Sequence, residues 1–485
     1  MSNPALQVYG GDEISAVVID PGSYSTNIGY SGTDCPQAIL PSCYGDYTNT
    51  DDPEGKKKKV FSEQSICIPR KDYEIKPIVE NGVVIDWDAA QEQWSWALEN
   101  QLYLRSNSGI PALLTEPIWN TVENRKKSLE LLLEGMDFEA CYLASTPTCV
   151  SFGTGRSSCL VVDLGHDTCS VSPVVDGMTL SKSTKRNFFA GGYLNELIKN
   201  YISPEKIIPL FAIDKRRPEL KKKVFEFPVH ESLYKYANDR GIFQECKETL
   251  CQVAAPSTLD KMKSELATVA KRSIETPWTE EIIFDNETRY GFAEQLFLPR
   301  KEDVPDNWNI SENGTVETWH NDYVPVKRTK PSGSVKSNKD STPQNSVEPS
   351  ITAEPLDETN ENGKRIIESS SEITKGSLLG VADLVHSSIM ASDVDLRATL
   401  AHNVVLTGGT STIPGLSDRL MAELNSRLPA LKFRMITTGH TRERQYQSWL
   451  GGSVLTSLGT FHQLWVGKEE YQDVGVDRLL ADRFR

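Results

Sequence analysis

One short pattern occurs twice in this chain, and its repetition constrains the fold more than any other feature. Near the start, Ala16-Val17-Val18-Ile19-Asp20-Pro21-Gly22-Ser23 is an apolar run ending in Asp-x-Gly, followed by Tyr24-Ser25-Thr26-Asn27-Ile28-Gly29. Far downstream, Cys159-Leu160-Val161-Val162-Asp163-Leu164-Gly165-His166 repeats it, followed by Asp167-Thr168-Cys169-Ser170-Val171. Each copy reads as a buried strand, a tight turn of Gly and small hydroxyls, and a returning strand. One copy alone is an ordinary hairpin. Two copies facing each other would hold a polyphosphate, with turn N–H groups on its oxygens and Asp20 and Asp163 holding the water shell of a metal ion.

A third glycine motif extends the pattern. Asn403-Val404-Val405-Leu406-Thr407-Gly408-Gly409-Thr410 is a strand running into a Gly-Gly turn, and Pro414-Gly415 then leads into a helix with Leu416, Leu420 and Leu424 on one face. Glycines there let backbone approach a flat ligand, and a helix start offers free N–H groups. Such turns are frequent, so this one is weak by itself. With the two hairpins it completes a plausible nucleotide cleft: two phosphate loops and an adenosine-side loop.

The 485 residues suffice for more than one domain and a large core. A formal net charge of −15 argues against a broad electrostatic footprint on DNA, while leaving room for a small basic patch. The nine cysteines lie between Cys35 and Cys251 without a Cys-x-x-Cys pair, which fits reduced thiols better than a disulfide or zinc framework. With no secretory leader pattern and no bilayer-length apolar stretch, a soluble intracellular protein is expected.

Strand and helix signals alternate, which favours an α/β fold. Val84 to Leu104 carries Trp87, Trp94, Leu98 and Leu102 at helical spacing, with Asp86 as N-cap. Asn120 and Glu123 open a second helix in capping-box fashion, and Gly135 closes it. The stretch from Asp46 to Lys59 reads as a solvated surface loop. From Lys327 to Gly376 there is no aromatic residue, and Ser, Thr, Asn, Glu, Lys and Pro dominate. A disordered insert is expected there, as the core of an insertion spanning about 301–376. Its opening cluster, Val326-Lys327-Arg328-Thr329-Lys330-Pro331, fits a nuclear import signal and fits ordinary basic decoration equally well.

The order and spacing of the three loops resemble the actin, sugar-kinase and Hsp70-type ATPase fold, and local text resembles the actin family. Leu113-Leu114-Thr115-Glu116-Pro117 with Asn124-Arg125 is similar to actin. So are Gly155-Arg156, Ser388-Ile389-Met390 with Asp393-Val394-Asp395-Leu396-Arg397, and Trp449-Leu450-Gly451-Gly452-Ser453 through Thr460-Phe461. The likeness covers nearly everything outside the Asp46–Lys59 loop, part of Tyr201–Arg240 and the insert. Ala5 to Glu13, Gly439-His440-Thr441 with Glu443 to Trp449, the ending Asp482-Arg483-Phe484-Arg485 and the insert resemble the nuclear actin-related branch found in chromatin-remodelling and histone acetyltransferase complexes.

This resemblance implies two related lobes of four subdomains around a nucleotide cleft. The small lobe would comprise 1–155 and 446–485 and the large lobe 156–445. It also implies the contacts. Asp20, Gly22, Ser23, Tyr24 and Ser25 would serve the first phosphate loop, and Asp163, Gly165, His166, Asp167 and Thr168 the second. Gly191 would lie beside the ribose, Lys247 and Glu248 beside base and ribose, and Gly408, Gly409, Thr410 and Ile413 on the adenosine side. Without the resemblance, Lys247 and Glu248 read as a solvated helix face. The implied ligand is ATP with Mg or Ca held through water by Asp20 and Asp163.

Departures from actin set the functional expectation. Asn27 stands where actin has a lysine on the β- and γ-phosphates, Thr146 where a glutamine positions the attacking water, and Ser170 where a histidine lies nearby. A neutral amide forfeits a charge-assisted contact roughly twice as strong as its own. Phosphoryl transfer rests on positioning and charge stabilisation, so hydrolysis should suffer far more than binding. The expectation is a nuclear, ATP-binding structural subunit with no catalytic residue. It would pair with monomeric actin on a helix of a scaffold or helicase subunit and would form no homopolymer, because the insert opposes close packing. Contact with histones or nucleosomes is implied by the resemblance. The competing readings are a filament-forming cytoskeletal ATPase and a small-molecule kinase on the same fold; no base for a substrate hydroxyl is evident.

Overall fold

A computed structural model describes residues 16–48, 57–202, 206–255, 271–306, 308–310, 314–316, 378–437 and 442–484. The two Asp-x-Gly hairpins seed two sheets. In the first, Val17–Pro21 pairs antiparallel with Ser25–Tyr30 and parallel with Pro111–Glu116. Ala38–Pro41 lies beyond Ser25–Tyr30, and Ala140–Ser145 and Val466–Gly467 extend the other side. In the second sheet, Cys159–Leu164 pairs antiparallel with Cys169–Val175 and parallel with Val404–Thr407, with Met435–Ile436 beyond. Each sheet therefore repeats one plan, a hairpin whose first strand takes a parallel neighbour on its other side. The hairpin strands are buried because both sheet faces are covered, which explains their near-continuous apolar runs.

Two helices cross between the sheets. Thr146–Gly153 follows directly from Ala140–Ser145, and Gln447–Thr456 packs against it. Their backbones approach so closely that a Cβ on Gly451 would lie 1.7 Å from the Cys149 carbonyl oxygen. Trp449, fully buried on the second helix, donates its indole N–H to the Val18 carbonyl at 3.1 Å and ties the helix to the first hairpin.

The helix starts follow capping chemistry. Asp86 accepts from the Ala89 amide at 3.0 Å and opens Trp87–Asn100, whose Trp94 and Leu98 are buried in the first core. The next helix runs Val122–Glu130 and is capped by Thr121, whose hydroxyl accepts from Asn124, one residue later than the expected Asn120. Asn120 instead donates to Glu116 at 3.0 Å. That carboxylate also pairs with the buried Arg125 at 2.5 Å, and Arg125 donates to the Phe484 carbonyl at 3.1 Å, so this network holds the C-terminal residues to the core.

Two expectations shift. The Asp46–Lys59 segment is not all loop, since its ends pair as strands Cys43–Thr48 and Lys57–Val60 with Asp46 opposite Lys59. Residues 49–56 lie outside the described residues. The first part of the expected insert is anchored. Trp308 donates to the Phe188 carbonyl at 3.1 Å, Val316 is buried and Thr315 bridges Lys185, because this stretch still carries apolar side chains to bury. The aromatic-free core, Lys327–Gly376, lies outside the described residues, as do residues 5–13 and 439–441.

Candidate nucleotide cleft

The two hairpin turns open onto one cleft of about 1000 Å³. They are built alike: the Gly22 amide donates to the Ser25 carbonyl at 3.1 Å, and the Gly165 amide to the Thr168 carbonyl at 2.9 Å. The amides of Ser23, Tyr24, His166 and Asp167 donate to no group among the described residues. Successive uncommitted amides in a tight turn form an anion-binding concavity.

Register brings the aspartates and the departures from actin together. Asp20 lies directly opposite Asn27, and Asp163 directly opposite Ser170. Asn27 is buried and donates to Asp20 at 3.1 Å. Asp20 further accepts from Thr115 at 2.5 Å and from Ser448 at 2.6 Å. Thr146 donates to the Glu116 carbonyl at 3.1 Å. Burial, reinforced by the nearby Asp20 carboxylate, pushes the Asp163 carboxyl up to about 7. Two carboxylates at the cleft floor, one of them this costly to ionise, suit a cation between them. With fewer than three acidic, His or Cys ligands grouped among the described residues, that cation would depend on water and ligand oxygens.

The side expected to face adenosine is equally well defined. Gly408, at φ 87°, has no room for a Cβ, which would lie 2.5 Å from an Asp163 carboxyl oxygen. Thr410 donates to the Gly165 carbonyl at 2.7 Å, and Lys247 to the Gly191 carbonyl at 3.2 Å. Lys247 is only 7% exposed, which rules out the solvated-face reading, and burial pushes its ammonium down to about 8. Glu248 is exposed at the rim. Ile413 lines the cleft.

Fifteen of the seventeen expected contact positions line the cleft; Asp167 and Gly191 are not among its lining residues. Asp167 accepts from the Asn81 amide at 2.8 Å, and Ser23 accepts from the Gly82 amide at 2.8 Å. A hairpin turn with Asn81 at φ 52° and Gly82 at φ 77° thus touches both Asp-x-Gly turns. His166, half-buried and close to Lys247, is pushed down to about 4 by desolvation and by the Lys247 charge, so it is a neutral imidazole at physiological pH.

Sequence reading missed Arg240 and Ser448. Arg240 ends the helix Glu231–Arg240, donates to the Tyr24 carbonyl and stacks its guanidinium 4.0 Å from the Tyr24 ring centre. It ends the Tyr201–Arg240 stretch, part of which lay outside the likeness, and no motif marked it. Ser448 sat inside a quoted motif without a role. The Asn-Gly dipeptide between two short apolar runs was a usable signal for the turn at Asn81.

Duplicated sheets, crossing helices and a cleft floored by paired Asp-x-Gly turns define an actin-type fold. The chain belongs to the actin family, which it matches over residues 11–484. "Actin-related protein 4" of Saccharomyces cerevisiae is 70% identical, with both chains covered in full. The protein of the same name from Eremothecium gossypii is 61% identical over both full lengths. That from Candida albicans is 39% identical, covering 99% of this chain and 98% of its own. By this likeness the chain is an actin-related protein.

Proposed function

We propose that this chain binds ATP with Mg or Ca in the cleft, and that it hydrolyses the nucleotide very slowly or not at all. The observation that carries this reading is the hydrogen bond from Asn27 to Asp20. The side chain at the position of actin's phosphate lysine is turned onto the metal-water aspartate and adds no charge to the phosphates. Bound ATP would bring a γ-phosphate electrophile and a metal charge. The residues would supply the rest: amides of both turns on the phosphates, Asp20 and Asp163 on the cation's water, and Lys247, Gly409, Thr410 and Ile413 around the nucleoside. Ser170 and Thr146 offer hydroxyls where orientation of a water would need an imidazole and a carboxamide. Neutral His166 hydrogen-bonds or stacks; its low pKa makes it a poor base.

In this reading the protein is a structural subunit of nuclear chromatin-remodelling and histone acetyltransferase complexes. It pairs with monomeric actin on a scaffold or helicase helix, helps engage histones or nucleosomes, and does not polymerise. The likeness to proteins named "Actin-related protein 4" and the altered catalytic positions support it. Among the described residues no helix is long and apolar enough to cross a membrane.

The test is the nucleotide itself. Purified full chain should carry ATP in preference to ADP, and adding monomeric actin with a scaffold helix should form a ternary complex without releasing it. Copurified ADP, or failure to bind actin, would overturn the reading.

A further inference from the structure

The stretch between Tyr201 and Arg240 carries a ribbon with no part in the cleft. Ile213–Lys215 pairs antiparallel with Lys221–Lys222, in a two-stranded sheet joined to no other. Every residue from Asp214 to Glu219 and from Lys221 to Val224 is exposed, while Ile213 and Leu220 root the ribbon in an apolar cluster. Between Ile213 and Lys223 there are six basic and two acidic residues, a net charge of +4 in a chain of net charge −15.

The charges are arranged as well as concentrated. Lys215 sits directly opposite Lys221. The Lys223 amide continues the ladder onto the Ala212 carbonyl at 2.8 Å, so strand alternation puts Lys223 on the face of Lys221. Lys215, Lys221, Lys222 and Lys223 enter no ion pair among the described residues, in a chain with 67 acidic residues. Like charges directly opposite each other destabilise a ribbon. That cost persists in the free protein and is relieved by a polyanion. The two arginines lie in the loop joining the strands and are held by a neighbouring hairpin: Arg216 donates to the Thr276 carbonyl at 3.2 Å and Arg217 pairs with Glu275 at 3.4 Å.

We propose that this ribbon is a contact surface for the phosphate backbone of duplex DNA. A two-stranded β-ribbon is an element the major groove, about 12 Å wide, admits. The opposed cations Lys215, Lys221 and Lys223 are flexible point charges suited to phosphate oxygens rather than planar forks for base edges, so the contact is with phosphates and independent of sequence. The acidic remainder of the chain confines the attraction to the ribbon and makes it steeply salt-dependent. None of this rests on the nucleotide reading.

The experiment is fluorescence anisotropy of a labelled mixed-sequence duplex titrated with full chain through a salt series. The triple variant Lys215→Ala/Lys221→Ala/Lys223→Ala should lose about tenfold or more in affinity at low salt. Its slope of log affinity against log salt should be shallower by about 2.7, at roughly 0.9 per phosphate contact. The Lys→Arg triple should bind as the unaltered chain does, and melting temperatures no lower than that of the unaltered chain would exclude misfolding. Absence of binding at low salt, an alanine triple that binds undiminished, or poly-glutamate competing as well as unlabelled duplex would overturn the proposal, the last by pointing to an acidic protein partner.

Discussion

At the scale of single residues, the cleft floor is an electrostatic arrangement that the proposed function completes with a cation. Asp20 takes three side-chain donors, Asn27, Thr115 and Ser448, whereas the Asp163 carboxyl is pushed up to about 7 by burial and by Asp20. Its folded pKa lies above the value of about 3.9 expected in an unfolded chain, so ionisation of Asp163 opposes folding in cation-free protein. The cost is absent below about pH 4 and grows as pH rises toward 7. His166, pushed down to about 4, has the opposite slope, and the same His166 is present in an Asp163→Asn variant. The melting-temperature advantage of Asp163→Asn over the unaltered chain, measured in chelator, should therefore widen from about pH 5 to pH 8 and reverse on adding Mg and ATP. A pH-independent difference would contradict this. Arg240 offers a second test. Its stacking on Tyr24 contributes about 0.5–2 kcal/mol and its hydrogen bond to the Tyr24 carbonyl a further 1.5–3 or so, clasping the first phosphate loop from a helix across the cleft. Arg240→Ala should speed release of a fluorescent ATP analogue about tenfold or more, and an unchanged rate would deny the clasp.

At the scale of elements, the helices Thr146–Gly153 and Gln447–Thr456 form a close backbone contact between segments far apart in sequence. With a Cβ placed 1.7 Å from the Cys149 carbonyl oxygen, Gly451→Ala should separate the pair and cost about 3 kcal/mol or more in denaturant unfolding, whereas Gly459→Ala meets nothing and should cost little. Equal costs would refute the close-packing account. Much at this scale was legible in the sequence because the deciding chemistry is local. Asp86 caps its helix as expected, and the periodic Trp94 and Leu98 are buried. What local text missed depends on distant partners. Asn120 yielded the cap to Thr121 because Glu116 and Arg125 engage it in a buried network. Lys247 has the look of a solvated residue until the fold turns it onto the Gly191 carbonyl.

At the scale of the whole molecule, the duplicated Asp-x-Gly pattern announced two sheets of one plan, and parallel pairing of Ile19 with Leu114 and of Asp163 with Thr407 realises it. The text also marked Asn27 and Ser170 as departures. Only register revealed that each stands opposite its own hairpin's aspartate, so both altered positions sit where phosphate charge and water would be managed. Arg240 and the lysine ribbon lay beyond reach because the Tyr201–Arg240 stretch offered no motif to mark them, and only three-dimensional placement gives them meaning. In the proposed function the cleft keeps its backbone cradle and both aspartates, while Asn27, Thr146 and Ser170 neither charge the phosphates nor orient water. The most direct test is single-turnover hydrolysis of labelled ATP by the full chain beside actin under identical conditions. The account predicts that bound ATP persists with cleavage far slower than in actin. Cleavage at or above the actin rate would contradict it.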